Sequence, residues 1–65
     1  MKSAQERFSD LRAMLEDLHG LAVEGVHPDL TQEGAMALCA SLIAGLKRSK
    51  RRAEAISRQQ RTSAR

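Results

Sequence analysis

Eight lysine and arginine residues lie within the last nineteen positions of the chain, beside a single acidic residue, Glu54. On a helix that advances 100° per residue, six of these cations fall within an arc of about 100°. Such a row can follow the phosphates of a nucleic acid or bind an acidic protein, and arginine pairs especially well with phosphate. The candidate contacts are Lys47, Arg48, Lys50, Arg51, Arg52, Arg58, Arg61 and Arg65.

The basic segment does not specify its target. Phe8 is the only aromatic residue, so bases have no stacking platform, and no motif that reads base edges is present. Ile56 is the only bulky apolar residue after Leu46, which disfavours insertion of this segment into a membrane surface. A helix end that only improves solubility remains the alternative to phosphate binding.

The residues that could bind a metal or act as nucleophiles are His19, His27 and Cys39. Their spacing matches no zinc motif, and the sequence contains neither a glycine-rich phosphate loop nor a pairing of nucleophile and base. A single cysteine cannot form an intramolecular disulfide. We therefore expect no catalytic residue, no metal and no cofactor, and the interpretation is a protein that is not an enzyme.

Twelve consecutive residues without a charge, Ala35–Leu46, lie in a chain where charges are otherwise frequent. On a helix, Ala35, Cys39, Leu42 and Leu46 form one stripe, flanked by Leu38 on one side and by Ile43 and Met36 on the other. A helix that is apolar over so much of its circumference needs more than one neighbour. Ala37, Ser41 and Gly45 form an adjoining row of small residues, which predicts a close helix–helix approach.

The first helix is expected at about residues 4–24. Ser3 followed by Glu6 is a capping-box pattern, and Gly25 is expected to end the helix in the left-handed conformation. Between these ends the apolar residues are spaced 4, 3, 4, 3 and 4 apart, which is the pattern of a heptad seam. The members of this seam are Ala4, Phe8, Leu11, Leu15, Leu18 and Ala22.

A connection over residues 25–30, which contains Pro28, leads to a second helix from about residue 32. Thr31 is the expected N-cap, with Asp29 as the alternative. The second helix has its own seam, and its length places residues 32–52 beside the first helix. Residues 53–65 would then form a basic helical extension that is exposed and frayed at its end. The second seam consists of Ala35, Cys39, Leu42, Leu46, Ser49, Ala53 and Ile56.

The fold class predicted from these patterns is all-α: an antiparallel two-helix hairpin, residues 1–52, that dimerises into a four-helix bundle. A chain of 65 residues is marginally stable alone, which favours a homo-oligomer and, within that, a dimer. The sequence predicts a cytoplasmic regulatory or adaptor protein without a membrane span, acting on a protein partner; the alternative is a nucleic-acid-associated protein. The expected oligomer or partner contacts are Phe8, Leu11, Leu15, Leu18, Met36, Leu38, Cys39, Leu42, Ile43 and Leu46.

Overall fold

The computed structural model describes residues 2–63, and within this range the chain forms two antiparallel helices and no strand. Helix α1 spans Ala4–Glu24 and helix α2 spans Gln32–Ser63. The two helices pack against each other along a rod of 53 × 15 × 15 Å. The prediction of an all-α hairpin is therefore confirmed.

The N-terminus of α1 is capped by Ser3. Its extended backbone precedes the helix, and its hydroxyl oxygen accepts a hydrogen bond from the backbone N–H of Glu6 at 3.2 Å. The hydroxyl also lies 3.3 Å from the Glu6 carboxylate, to which it donates. This arrangement satisfies one of the free amide groups at the start of the helix. The expected cap is present, although the carboxylate bonds to the hydroxyl and not to the Ser3 backbone.

The C-terminus of α1 differs from the expectation at Gly25. Its φ of −68° and ψ of −14° lie in the right-handed region, so the prediction of a left-handed cap was wrong. The Gly25 N–H donates to the carbonyls of Leu21 and Ala22, which tightens the last turn. Two further turn-type hydrogen bonds, from Val26 to Val23 and from His27 to Glu24, lead the chain away from the helix.

The connection extends beyond the end of α1 and lies beside the first turns of α2. Leu30 donates its backbone N–H to the carbonyl of His27, and its side chain reaches the vicinity of Gly34 in the first turn of α2. The Thr31 hydroxyl accepts from the Gly34 N–H at 3.0 Å, which makes Thr31 the N-cap, as expected, and not Asp29. The first turns of α2 therefore pack on the connection.

This path of the connection sets the register of the two helices. Leu18 lies against Gly45, and Asp10 lies opposite Arg52, while Gly25 lies beside Leu38. Helix α1 consequently covers α2 from about residue 38 to residue 59. The expected partner segment, residues 32–52, was wrong by about seven residues, or two helical turns. The reason is that the connection, and not α1, covers the first two turns of α2.

The line of contact between the helices is also rotated from the predicted seams. The α1 positions turned toward α2 are spaced 3 and 4 apart and include Leu11 and Leu18, but the rest of that line differs from the prediction. Phe8, Leu15 and Ala22, which were expected to share one seam with Leu18, are exposed. The buried or half-buried residues of the contact line are Arg7, Leu11, Met14, Leu18, Leu21, Leu38, Leu42, Gly45, Ser49, Ile56 and Gln59.

The apolar core of the hairpin is very small. Among the described residues, Leu18 at 8% exposure and Ile56 at 4% are the only buried hydrophobic side chains. Burial of Ile56 contradicts the expectation that the chain is exposed from residue 53 onward, because the shifted register brings the start of α1 beside it. The packing of α1 on α2 thus continues beyond residue 52, where the hairpin was expected to end.

Ser49 provides a test of this contact line. The residue is 6% exposed, and its buried hydroxyl has no hydrogen-bond partner among the described residues. An unsatisfied buried hydroxyl costs about 1–3 kcal/mol. Ser49→Ala is therefore expected to stabilise the chain by about 1 kcal/mol or more in urea unfolding. Ser57→Ala, at an exposed position of the same helix, should gain only the few tenths of a kcal/mol due to helix propensity. Equal effects at the two positions would show that Ser49 is not buried against α1.

Candidate helix-contact surface

The hairpin has two broad sides, which flank the line of contact between the helices. One side is identified by a hollow lined by residues of both helices, among them Met14, Asp17, Ser41, Ala44 and Arg48. In an antiparallel pair, positions displaced in the same rotational sense from the contact line share a side. Each residue of a helix is rotated by 100° from the one before it, so the angle of every residue from the contact line is known. Residues rotated away from the contact line in the sense opposite to that of the hollow form the second side.

The second side, called the apolar face from here on, carries no charged residue within about 100° of the contact line on either helix. Its large side chains are well exposed: Phe8 is 55%, Leu15 46% and Leu46 53% exposed. A hollow on the α1 half of this side is lined by Phe8, Leu11 and Leu15 and, at its outer edge, by Arg12, Glu16 and His19. The apolar face consists of Phe8, Leu11, Leu15, Ala22, Ala35, Cys39, Leu42, Leu46 and Ala53.

The first side, called the charged face, carries acidic residues on α1 and arginines on α2. Asp10 lies 3.8 Å from the Arg52 guanidinium across the helix pair and also forms an ion pair with Lys2. The Lys2 hydrogen bond, with the nearby charges of Lys2, Arg52 and Arg7, holds the pKa of Asp10 below its ordinary value, although partial burial acts in the opposite sense. The charged face consists of Glu6, Asp10, Asp17, Glu24, Arg48 and Arg52. The two sides of the hairpin therefore differ sharply in polarity.

The lowered pKa of Asp10 predicts a pH-dependent contribution to stability. A carboxyl whose pKa is lower in the folded state stabilises the fold above its unfolded pKa, near 3.8, and loses this effect as pH falls through the folded value. Asp10→Asn should therefore lower the melting temperature at pH 6, and the difference from the wild type should disappear toward pH 2. Asp17→Asn, at an exposed carboxyl of the same helix that forms no ion pair within the described residues, is the control. A constant difference between pH 6 and pH 2 would contradict the role of the ionised Asp10.

The predicted contact residues separate into two groups in the structure. Leu18 is buried between the helices, and Leu11, Leu38 and Leu42 are half-buried there. The remaining six are exposed: Phe8, Leu15, Cys39 and Leu46 lie on the apolar face, while Ile43 and Met36, 56% and 67% exposed, lie at its outer edge on α2. The hairpin itself thus uses fewer than half of the predicted contact residues.

The row of small residues is used at only one of its three positions. Gly45 is buried against Leu18, and a Cβ atom at this position would lie 2.2 Å from Leu18 Cδ2. Ser41 lines the hollow of the charged face, and Ala37 is exposed. The close approach expected from this row therefore occurs within one chain, at Gly45.

The basic residues of α2 point mainly away from α1. Lys47, Lys50, Arg51, Arg58 and Arg61 are exposed and follow the outer side of α2; they are called the basic row. Arg48 and Arg52, also predicted as phosphate contacts, lie on the charged face, where Arg52 pairs with Asp10. Arg65 lies outside the described residues. The basic row is thus accessible to an anionic partner.

The apolar residues around the connection were not among the predicted contact residues. Val23, Val26 and Leu30 are 56%, 81% and 39% exposed and line a shallow hollow at this end of the rod. Three apolar residues so close to Pro28 are unusual for a solvated turn. This composition could have predicted an exposed apolar surface at the connection. They extend the exposed apolar surface of the hairpin to its end.

Within residues 2–63, no group of three or more histidine, cysteine, aspartate or glutamate side chains could hold a metal ion. Cys39 is a free and exposed thiol. In the same part of the chain, no helix has both the length and the apolar character needed to cross a membrane.

Comparison of the chain with models of known protein families, with curated proteins and with solved structures finds no match in any of the three. A function for this chain therefore has to follow from the geometry and polarity of the hairpin surfaces.

Proposed function

We propose that this chain is a small, non-enzymatic regulatory or adaptor protein that acts through helix–helix contacts. Its apolar face packs on a second copy, so that two hairpins form a four-helix bundle. The observation that carries this proposal is the polarity of the two sides of the rod. One side is uncharged and exposes Phe8, Leu15 and Leu46, whereas the other carries the ion pairs of Asp10.

The exposed area supports a missing neighbour. The hairpin exposes 5391 Å², whereas a compact monomer of 7.2 kDa exposes about 4,100 Å². The excess exceeds the roughly 800 Å² that one partner buries in a stable protein–protein interface. Packing a second rod on the apolar face would bury a large part of this excess and give Leu11 and Leu42 neighbours on both sides.

The direction of the predicted seams supports the same arrangement. A helix in a four-helix bundle directs its apolar stripe between two neighbours, one in the same hairpin and one in the other. The predicted seams pass through Leu11 and Leu42, which lie between the intrachain contact line and the apolar face. The heptad seams therefore point toward the centre of a bundle and not toward the other helix of the hairpin.

Thermal unfolding at several protein concentrations tests the proposal. If folding is coupled to association, the melting temperature rises with concentration, because only the folded state binds a second copy. A rise of several degrees over a hundredfold range of concentration is expected. A melting temperature that does not depend on concentration, at an unchanged helical content, would overturn self-association.

The second candidate function is binding of nucleic acid through the basic row. The observation that favours it is the exposure of five cations along the outer side of α2, of which only Lys50 also borders the apolar face. Both functions are compatible with one molecule, since the two surfaces point in different directions. Their salt dependence distinguishes them.

Binding by the basic row predicts a definite change in salt dependence. The logarithm of the affinity for duplex DNA falls with the logarithm of salt concentration with a slope of about −0.9 per phosphate contact. Arg58→Ala with Arg61→Ala should make this slope less steep by about 1.8 per bound chain, as measured by fluorescence anisotropy. Arg12→Ala, which removes an exposed arginine of α1 that pairs with Glu16, is the control. An unchanged slope in the double variant would exclude the basic row as the contact.

A further inference from the structure

We infer that the second copy docks on the apolar face in the opposite direction, with the two connections at opposite ends of the bundle. This inference rests on the proposed self-association and adds its orientation. Two rods that stack through the same face are related by a two-fold axis in the plane of the interface. The axis runs either along the rods, which places both connections at one end, or across them, which places the connections at opposite ends.

The distribution of charge along the rod favours the second arrangement. Between Ala13 and Arg48, a segment that includes the connection end, there are five acidic residues and two basic ones, Lys47 and Arg48. The opposite end holds residues 2–12 and 49–63, with eight basic and three acidic residues. The rod therefore has an acidic end and a basic end. Docking in opposite directions places each basic end beside an acidic end, whereas docking in the same direction brings the two basic ends together.

The edges of the apolar face give an independent argument. With both connections at one end, α2 of one copy would stack on α1 of the other at the same level. The observed register, which sets Asp10 opposite Arg52, places Lys50 at about the level of Ala13. Lys50 and the partner's Arg12, both at the outer edge of the apolar face, would then confront each other as like charges.

The opposite orientation removes this conflict, because α2 then stacks on α2 of the second copy in the reverse direction. With the axis near Leu46, the middle of α2, Lys50 comes beside the uncharged stretch Ala35–Leu46 of the other chain. Arg12, whose guanidinium lies 2.9 Å from the Glu16 carboxylate of its own helix, faces α1 of the other copy. The contact between Lys50 of one copy and Arg12 of the other is then absent.

This orientation also determines where the basic rows lie. Since α2 stacks on α2, the outer sides of both α2 helices point the same way, and the two basic rows run in opposite directions on one side of the bundle. The reverse case would place them on opposite sides. A single broad basic side with two-fold symmetry therefore follows from the inferred orientation.

Distances between spin labels test the orientation in the full-length chain. Cys39→Ala removes the native thiol and keeps this position of the apolar face apolar, and Val26→Cys then carries a nitroxide at the connection end, where the side chain is 81% exposed. The two copies of residue 26 should then lie about 30 Å apart, because Gly25 lies beside Leu38, about eight residues of helical rise from an axis near Leu46. With both connections at one end, helices spaced 8–10 Å apart would bring the two copies of residue 26 within about 15 Å of each other.

The matched variant carries the label at Gln5, which is exposed at the opposite end of the rod. Labels at Gln5 should also lie far apart, whereas a mixed dimer of Val26-labelled and Gln5-labelled chains should give a short distance. Short distances in both single-site dimers and a long one in the mixed dimer would overturn the inferred orientation. The mass of each labelled sample is measured by light scattering. A monomer would overturn the proposed self-association itself, a result distinct from a dimer with the wrong distances.

Discussion

Leu46→Glu is expected to convert the dimer into a monomer. Leu46 is 53% exposed in the single hairpin and lies near the middle of α2 on the apolar face. In the bundle its replacement would bury two carboxylates, one from each copy, at a cost of several kcal/mol each. We expect the dissociation constant to rise at least about a hundredfold, and the mass measured by light scattering to fall from twice 7.2 kDa to 7.2 kDa.

The matched control is Ala40→Glu, which adds the same charge to an exposed position of α2 that points away from the apolar face. This variant should remain a dimer at the concentration where Leu46→Glu is monomeric. Circular dichroism reports whether helix is retained in both variants; in Leu46→Glu the new carboxylate lies four residues before Lys50, which favours the helix. Loss of dimer in both variants, or in neither, would contradict the assignment of the interface to the apolar face.

Gly45→Val is expected to destabilise the hairpin itself. A Cβ atom at this position would lie 2.2 Å from Leu18 Cδ2 and 3.2 Å from Leu18 Cγ, so one of the two buried apolar side chains must move. Overpacking of this kind costs about 1–3 kcal/mol. Because the core contains so few buried groups, we expect loss of most of the helical signal at 37 °C, measured by circular dichroism.

Two variants separate the steric effect from helix propensity. At Gly20 a Cβ would meet nothing within 4 Å, so Gly20→Ala should stabilise the chain by about 1 kcal/mol. Gly45→Ala should not stabilise the wild-type chain, because the added Cβ meets Leu18. In the background of Leu18→Ala, where that contact is removed, Gly45→Ala should again increase the stability. If Gly45→Ala stabilises the wild-type chain as much as Gly20→Ala does, the close approach of the helices at Gly45 is absent.

Local features of the sequence predicted the secondary structure well, because caps act over three or four residues. The Ser3 and Thr31 caps identify where the two helices begin, and their hydrogen bonds are present at 3.2 and 3.0 Å. The glycine at the end of α1 was placed correctly but assigned the wrong conformation. A right-handed Gly25 suffices there because a series of turns, and not a sharp reversal, follows it.

The register and the rotation of the helices could not be predicted, because both depend on contacts distant in sequence. The connection packs along the first turns of α2, which shifts the partner of α1 by about two helical turns. A heptad seam identifies an apolar stripe on a helix. It does not show which half of that stripe packs on the other helix of the same chain and which half remains exposed. Gly45 provides the space in which Leu18 packs, and the rotation that brings Gly45 and Ser49 onto the contact line leaves Phe8 and Leu15 exposed.

The most direct measurement is the light-scattering mass of the purified chain at micromolar concentration, in low and in high salt and without nucleic acid. Self-association through an uncharged face predicts a stable mass of twice 7.2 kDa in both conditions, since salt does not weaken apolar contacts. A helical monomer of 7.2 kDa in both conditions would contradict the central claim and show that the apolar face is not covered by a second copy.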